Sequence, residues 1–505
     1  MKQQKSQLKI GVILNYVNMI LGNLIPIFYT PIMLALLGQE EYGLYKLSSS
    51  VTSYLSLISF GIGSAVTRYL IKAEQEEGRD AEERTLGLFM VIFQVIAILS
   101  LIVGTVLTLN LDLFYSNSLS GTELIRMKLL VFLMVCNMAL SFSQSPYNSV
   151  VTAHERFVFL QSINIVTTCV GPLLNLLMLL LGFASVGMTI SSLFVTLLCR
   201  FAYTAYVRCS LHIRPCYRNM PTNALKEILA FSFWIFVSNV VGQLYNATDT
   251  VMIGAVPTLG TAAVAIYNIG GTFNTIIGSI STGLSSLLMP ATNKMVFRGA
   301  SNEELTHYAI RIGRIQGLLA SLLISGFIAF GMPFINFYVG NGYEESYWVA
   351  VFMIVPSLIY LSQSVYLNIM VAKNKHQFRS LVYLLIAVIN VIGTWFLMRI
   401  WGVVGAAAMT GFAVIIGHGF LMNWYYARKL EQDVVYFWKS VGKVYILPLV
   451  MCILTLILSS ILDFYQLPIF LTGIVFYTVV FCALNWVWVM NDYEKGVIMS
   501  LLRRK

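Results

Sequence analysis

Long apolar runs alternate with short polar breaks along this chain, and the runs are longer than water-soluble folds use. A helix needs about 20 mainly apolar residues to cross roughly 30 Å of hydrocarbon. Fourteen segments reach that length, near residues 10–37, 44–71, 86–109, 125–151, 158–180, 187–207, 228–255, 263–290, 307–332, 347–371, 380–399, 404–427, 443–462 and 469–490. They are numbered spans 1 to 14 below. The pattern predicts an all-α polytopic membrane protein. The longest connection, 209–227, carries Pro215 and Pro221, which interrupt a continuous helix. No loop approaches the roughly 50 residues of a soluble catalytic domain.

Composition supports this reading. Of 505 residues, 58% are hydrophobic and 11% charged, against about 25% charged in globular proteins. A net charge of +10 is a feature shared with nucleic-acid-binding proteins, but in a membrane protein its placement matters more than its total. With the N-terminus in the cytoplasm, only Lys46, Arg126, Lys128 and Arg399 of the 32 Lys and Arg fall on outer connections. Lys2, Lys5, Lys9, Arg208, Arg214, Arg218, Lys373, Lys375, Arg428, Lys429 and the basic C-terminus fall inside, so both termini are expected in the cytoplasm. The acidic stretch Glu74, Glu76, Glu77, Asp80, Glu82 and Glu83 reads as the first cytoplasmic loop. The first apolar run is too long for a signal peptide and is expected to remain as span 1. The seven cysteines have neither disulfide nor zinc spacing and read as small apolar residues.

Self-comparison shows a repeat. Ser143-Gln144-Ser145-Pro146-Tyr147 returns as Ser362-Gln363-Ser364-Val365-Tyr366, and Gly22-Asn23-Leu24 as Gly242-Gln243-Leu244. Gly38, Tyr45, Gly61, Lys72 and Gly182 are echoed by Gly260, Tyr267, Gly283, Lys294 and Gly402 at nearly constant offset. Each unit holds six spans, so both copies enter the membrane in the same sense, and a carrier's substrate site is expected between such halves. The expected organisation is an N-lobe at 1–208, a cytoplasmic linker at 209–227, a C-lobe at 228–430, and spans 13 and 14 with a cytoplasmic tail at 431–505.

Polar side chains in hydrocarbon normally face the bundle interior or a water-filled cavity. Span 2 carries Ser48, Ser49, Ser50, Thr52, Ser53, Ser56, Ser59, Ser64 and Thr67. Span 8 carries Asn268, Thr272, Asn274, Thr275, Ser279, Ser281, Thr282, Ser285 and Ser286. For these small residues, helix packing and cavity lining are equally good accounts. Span 7 places Asn239, Gln243, Asn246 and Thr250 on one helical stripe, which favours a cavity. Span 1 adds Asn15, Asn18 and Asn23, with Pro26 and Pro31 expected to bend it.

Ionisable groups inside spans are few. Asp249 is the one acid at membrane depth, roughly 9 Å below the outer end of span 7 at 1.5 Å per residue. Arg68, Arg200, Arg311 and Arg314 lie near inner ends, where snorkelling to the interface is the simpler account. Arg68 also lies on the serine-rich span, where a guanidinium can hold a phosphate bidentately. His418, between Gly417 and Gly419, reads as a packing histidine rather than a proton carrier. Walker-type nucleotide motifs, metal-ligand spacings and paired glycosyl-transfer carboxylates are absent from the sequence. No cofactor and no catalytic or metal residue is expected; the chain reads as a carrier, not an enzyme.

Two stretches then resemble the multidrug/oligosaccharidyl-lipid/polysaccharide exporter superfamily, and within it bacterial flippases for O-antigen and capsule repeat units. They are Gly38-Gln39-Glu40-Glu41-Tyr42-Gly43-Leu44-Tyr45 and Gly61-Ile62-Gly63-Ser64-Ala65-Val66-Thr67-Arg68-Tyr69. Asn246-Ala247-Thr248-Asp249 and Ala265-Ile266-Tyr267 open the second half in the same manner. The resemblance implies a bacterial inner-membrane flippase that moves an undecaprenyl-diphosphate-linked oligosaccharide to the outer leaflet for lipopolysaccharide or capsule synthesis. It implies basic side chains at the diphosphate, membrane lipid around the tail, and glycan polymerase and assembly proteins as partners; nucleic acid is not among them. The candidate binding residues are Arg68, Lys46, Asn23, Asn239, Gln243, Asn246 and Asn268, with Asp249 for Na⁺ or H⁺ coupling. The alternatives are a lipid-linked peptidoglycan precursor flippase and a cation-coupled multidrug antiporter.

Overall fold

The computed structural model describes residues 2–503 apart from positions 374 and 376. The side chains of Lys2, Lys5, Lys9, Ser281, Thr282 and Ser286, together with residues Arg504 and Lys505, lie outside the described residues. Among the described residues every regular element is helical. Twelve stretches are long and apolar enough to cross a membrane. One of these, Phe378–Lys429, contains both spans 11 and 12, separated at Trp401 and Gly402, where the backbone leaves the helical region. Span 8 lies in the 38-residue helix Gly260–Phe297. Each of the fourteen expected segments is therefore occupied by helix. The chain divides into two compact units, Met1–Ala265 and Ile266–Lys505.

In the first unit, span 1 lies within helix Lys2–Leu37, which continues through Pro26 and Pro31. Span 2 is not the continuous helix expected. Helix Gln39–Ser53 tightens into a 3₁₀ segment, Tyr54–Ser59, and a new helix runs over Gly63–Glu77. Phe60 and Gly61 between them take positive φ values of 50° and 69°. Gly61 is also crowded, because an added Cβ would lie 2.9 Å from Ile235. Span 7 is divided too, into Leu225–Asn246 and Thr248–Ala255.

Glycine explains two of the repeated positions. Gly38 and Gly260 have φ of 77° and 68°, and Gly182 and Gly402 have φ of 83° and 57°. Each echoed pair thus occupies the left-handed region, where a side chain is strained. Gly43 meets a different demand: its Cβ would fall 1.8 Å from the Thr261 carbonyl oxygen. The small residue lets helix Gln39–Ser53 approach that backbone closely.

The stretch read as an acidic loop is two helix ends meeting at Gly78, because helix Arg79–Leu109 begins immediately after Gly63–Glu77. Glu82 is buried there and lies 2.7 Å from His154 Nε2. Glu74 offers a third ligand atom, all within 4.8 Å of one another, a grouping that sequence spacing did not reveal. The carboxylate of Glu82 holds the His154 pKa above its usual value. The connection after span 6 is strapped to this region. Arg79 donates to the carbonyls of Leu211 and His212 at 2.7 and 2.6 Å, and Cys216 N–H donates to the Glu83 carbonyl at 2.9 Å.

In the second unit, spans 13 and 14 pack through Met451, Phe470, Tyr477 and Phe481 onto Ala329 and Phe330 of span 9. Tyr477 donates to Ser325 Oγ at 2.7 Å within that contact. Arg314 departs from the snorkelling expectation. It is 9% exposed and donates to Glu494 from Nε and one Nη at 2.5 and 3.2 Å. Its other donors reach the Ser440 and Val489 carbonyls at 3.0 and 2.8 Å. Glu494 belongs to helix Asp492–Arg503, so much of the expected tail is ordered helix. With a carboxylate and two carbonyls in place, the buried guanidinium is hydrogen-bonded inside the protein rather than at the interface.

Candidate substrate-binding face

The first unit joins spans 2 and 7 through polar side chains. Ser53 Oγ donates to Gln243 Oε1 at 3.1 Å, and Gln243 Nε2 donates to Ser56 Oγ at 3.1 Å. Just beyond, Tyr54 and Thr248 share a hydrogen bond of 2.5 Å. These contacts involve the tightened segment of span 2, where 3₁₀ geometry replaces the regular α-helical turn.

The other candidates are distributed over several helices. Asn239 and Asn246 are exposed on helix Leu225–Asn246, and Asn246 Nδ2 also donates to the Gly242 carbonyl at 2.9 Å. Asn23 is half-buried and donates to the Met19 carbonyl at 2.8 Å. Asn18 accepts from Thr168 Oγ1 at 3.0 Å, so this amide serves helix packing. Within span 2, Ser48 and Thr52 return their hydroxyls to the carbonyls four residues earlier, while Ser49 and Ser64 are exposed. The hydroxyl-rich sequence thus contains both roles allowed for it.

Arg68 is exposed on helix Gly63–Glu77, with its guanidinium 4.8 Å from the Phe231 ring centroid. Lys46 lies on the preceding helix, its ammonium 5.5 Å from the Tyr42 ring. The two bases therefore sit on opposite sides of the break in span 2. The Phe231 ring offers the Arg68 guanidinium a cation–π contact that uses none of its five hydrogen-bond donors. Asp249 is buried in the first turn of helix Thr248–Ala255, where the positive end of the helix dipole favours a carboxylate. Asn268 belongs to the second unit, where its carbonyl accepts from Thr272 at 2.9 Å.

Sequence reasoning missed the Ser53–Gln243–Ser56 connection. Gly61 and Gly63 offered the one available sign of the span 2 break. It also missed the His154–Glu82 pair, because 72 residues separate the partners.

Residues 8–296 match the Polysaccharide biosynthesis protein family. No curated protein sequence matches the chain. Among solved structures, it is similar to the lipid II flippase MurJ in an inward closed conformation, with a TM-score of 0.73 and 15% identity over 95% of this chain and 98% of MurJ. An inward-facing multidrug resistance MATE transporter of the MOP superfamily gives 0.64 and 12% identity, over 84% of this chain and 95% of that one. A mutant of the Vibrio cholerae MATE transporter VcmN gives 0.57 and 15% identity, over 86% of this chain and all of its own. At these identities the structural likeness concerns the fold. The protein is a multi-pass membrane member of the polysaccharide biosynthesis family, built on the fold of MOP-superfamily flippases and transporters.

Proposed function

We propose that the protein is an alternating-access flippase that carries a lipid-diphosphate-linked oligosaccharide from the inner to the outer leaflet of a bacterial cytoplasmic membrane. One observation supports this most strongly: exposed amides Asn239 and Asn246 on span 7 accompany exposed Ser49, Ser64 and Arg68 on span 2, and polar side chains join the two spans within one unit. Neutral hydroxyl and amide groups suit a glycan, which offers donors and acceptors but little charge. Arg68, held at Phe231, supplies the phosphate contact. The moving bodies in this reading are the two six-span repeats, with both termini in the cytoplasm.

Asp249 is the proposed coupling group. A carboxylate at this depth needs a cation, a proton or hydrogen-bond donors. Asp249→Asn keeps its shape and removes its charge, so gradient-driven transport is expected to fall while the protein remains membrane-inserted. Unchanged dependence on Na⁺ and pH gradients would remove Asp249 from the mechanism.

Complementation separates the substrate classes. Expression is expected to restore surface polysaccharide in a strain lacking an O-unit flippase and not to rescue one depleted of the peptidoglycan-precursor flippase. Rescue of only the second strain would replace the proposed substrate with lipid-linked peptidoglycan precursor.

A further inference from the structure

The second unit contains a cavity of about 380 Å³ among spans 8, 10, 11 and 12. All four contribute from the half that the loop charges assign to the cytoplasm. Two backbone irregularities border it. Span 10 is interrupted at Gln363, between helices Glu344–Ser362 and Ser364–Ala372. Span 12 widens into a π-helix over Ile415–Met422, which contains the lining residue His418. Such wide turns are frequent at functional sites.

Gln363 is the most informative lining residue. It is 2% exposed, and its Nε2 donates to Asn423 Oδ1 at 2.5 Å. Its Oε1 is buried with no hydrogen-bond partner. A buried acceptor without a donor is costly, so its site calls for a hydrogen-bond donor. The other walls supply flat rings and a charge. His418 lies 5.3 Å from both Tyr360 and Tyr383, centroid to centroid, and the Arg379 guanidinium lies 4.7 Å from the Tyr383 ring. Arg379 makes no hydrogen bond or ion pair among the described residues.

We propose that this cavity of the second unit is a binding subsite for a sugar residue bearing an anionic substituent. A hydroxyl of the sugar would donate to Gln363 Oε1, its ring would lie against the tyrosine and histidine faces, and its phosphate or carboxylate would meet Arg379. Phosphate alone lacks the ring that would lie against the aromatic faces, and a lipid chain lacks both polar features. The volume is within the range of small-ligand pockets, about 300–1,000 Å³. The ligand can be part of the lipid-linked glycan or a free glycosyl phosphate; the choice of sugar chemistry rests on the flippase reading.

The test is binding of glucose 1-phosphate, galactose 1-phosphate and N-acetylglucosamine 1-phosphate to the purified full-length protein in detergent, by ligand-observed NMR. At least one is expected to bind, with inorganic phosphate at least tenfold weaker. Arg379→Gln and cavity-filling Leu367→Phe should each weaken that binding at least tenfold. Any variant with altered elution or unfolding temperature is replaced by Gln363→Met as the comparison. Absence of binding by all three sugars, equal binding of phosphate, or unchanged affinity in the folded variants would overturn the subsite. A separate proteoliposome arm follows the lipid-linked oligosaccharide. Competition by the glycosyl phosphate assigns the same subsite to the lipid-linked source, whereas binding without competition assigns it to a free one. Failure of the wild-type protein to translocate the glycolipid counts against the flippase reading and leaves the binding comparison intact.

Discussion

Ser53 donates to the side-chain carbonyl of Gln243 at 3.1 Å, and the amide nitrogen of the same glutamine donates onward to Ser56. One amide therefore joins two helices at the point where span 2 leaves regular α geometry. Gln243→Leu keeps much of the volume but removes both partners. A destabilisation of about 0.5–1.5 kcal/mol is expected from the lost hydrogen bonds, together with reduced glycan export at matched protein level. Thermal unfolding and surface-glycan staining on the same preparations check both effects; an unchanged unfolding temperature would mean that this connection contributes little.

Gly43 and Gly22 should respond oppositely to alanine. A Cβ at Gly43 collides with the Thr261 carbonyl, whereas one at Gly22 meets nothing within 4 Å. Overpacking typically costs about 1–3 kcal/mol, while alanine in an open helical site contributes roughly 0.5–1 kcal/mol of stability. Gly43→Ala should therefore lower the unfolding temperature and Gly22→Ala should leave it unchanged or raise it. Equal effects at both positions would contradict the close approach.

The Arg314–Glu494 pair predicts a non-additive cost. Arg314→Met leaves the buried Glu494 carboxylate without its main partner and should destabilise the second unit by about 3–5 kcal/mol. The Arg314→Met/Glu494→Met double variant should lose less than the single. Unfolding in detergent measures both, and additive losses would argue against the coupling.

His154 gives the first unit a pH dependence. Glu82, Glu74 and Arg156 are the charged groups acting on it, and Glu82 raises its pKa above the unfolded value of 6.5. Its protonated form is thus favoured by folding. The resulting stability is fully present below about pH 6.5 and declines as pH rises through the higher folded pKa. The unfolding-temperature gap between wild type and His154→Gln should narrow with rising pH. A gap that stays constant from pH 5 to 9 would contradict a protonation-dependent pair.

The helical membrane fold was legible because fourteen apolar segments leave few alternatives, and the paired glycines marked turns whose positive φ the repeat preserves. Interruptions were harder to read. Phe60 stands beside Gly61 and Gly63, and Gln363 in the polar run Ser362-Gln363-Ser364, but long apolar stretches flank both and read as single spans. Helix Gly121–Ala153 runs through Pro146, whereas the matching stretch of span 10, with Val365 in that place, divides at Gln363. Local residue identity could not show which segment neighbouring helices would hold straight. The candidate face was legible as a set of residue types, but its connections depend on partners far apart in the chain. Gln243 and Ser53 are 190 positions apart, and Arg314 and Glu494 are 180 apart.

The central claim is translocation of a lipid-linked glycan. The most direct measurement reconstitutes the full-length protein in proteoliposomes containing an undecaprenyl-diphosphate-linked oligosaccharide on one leaflet and follows its arrival on the other with an impermeant lectin. Protein-dependent arrival, at least tenfold slower for an inserted Arg68→Ala protein, is the predicted result. No arrival above protein-free vesicles under imposed Na⁺ or pH gradients of either direction, from protein whose folding and insertion are verified, would contradict the account.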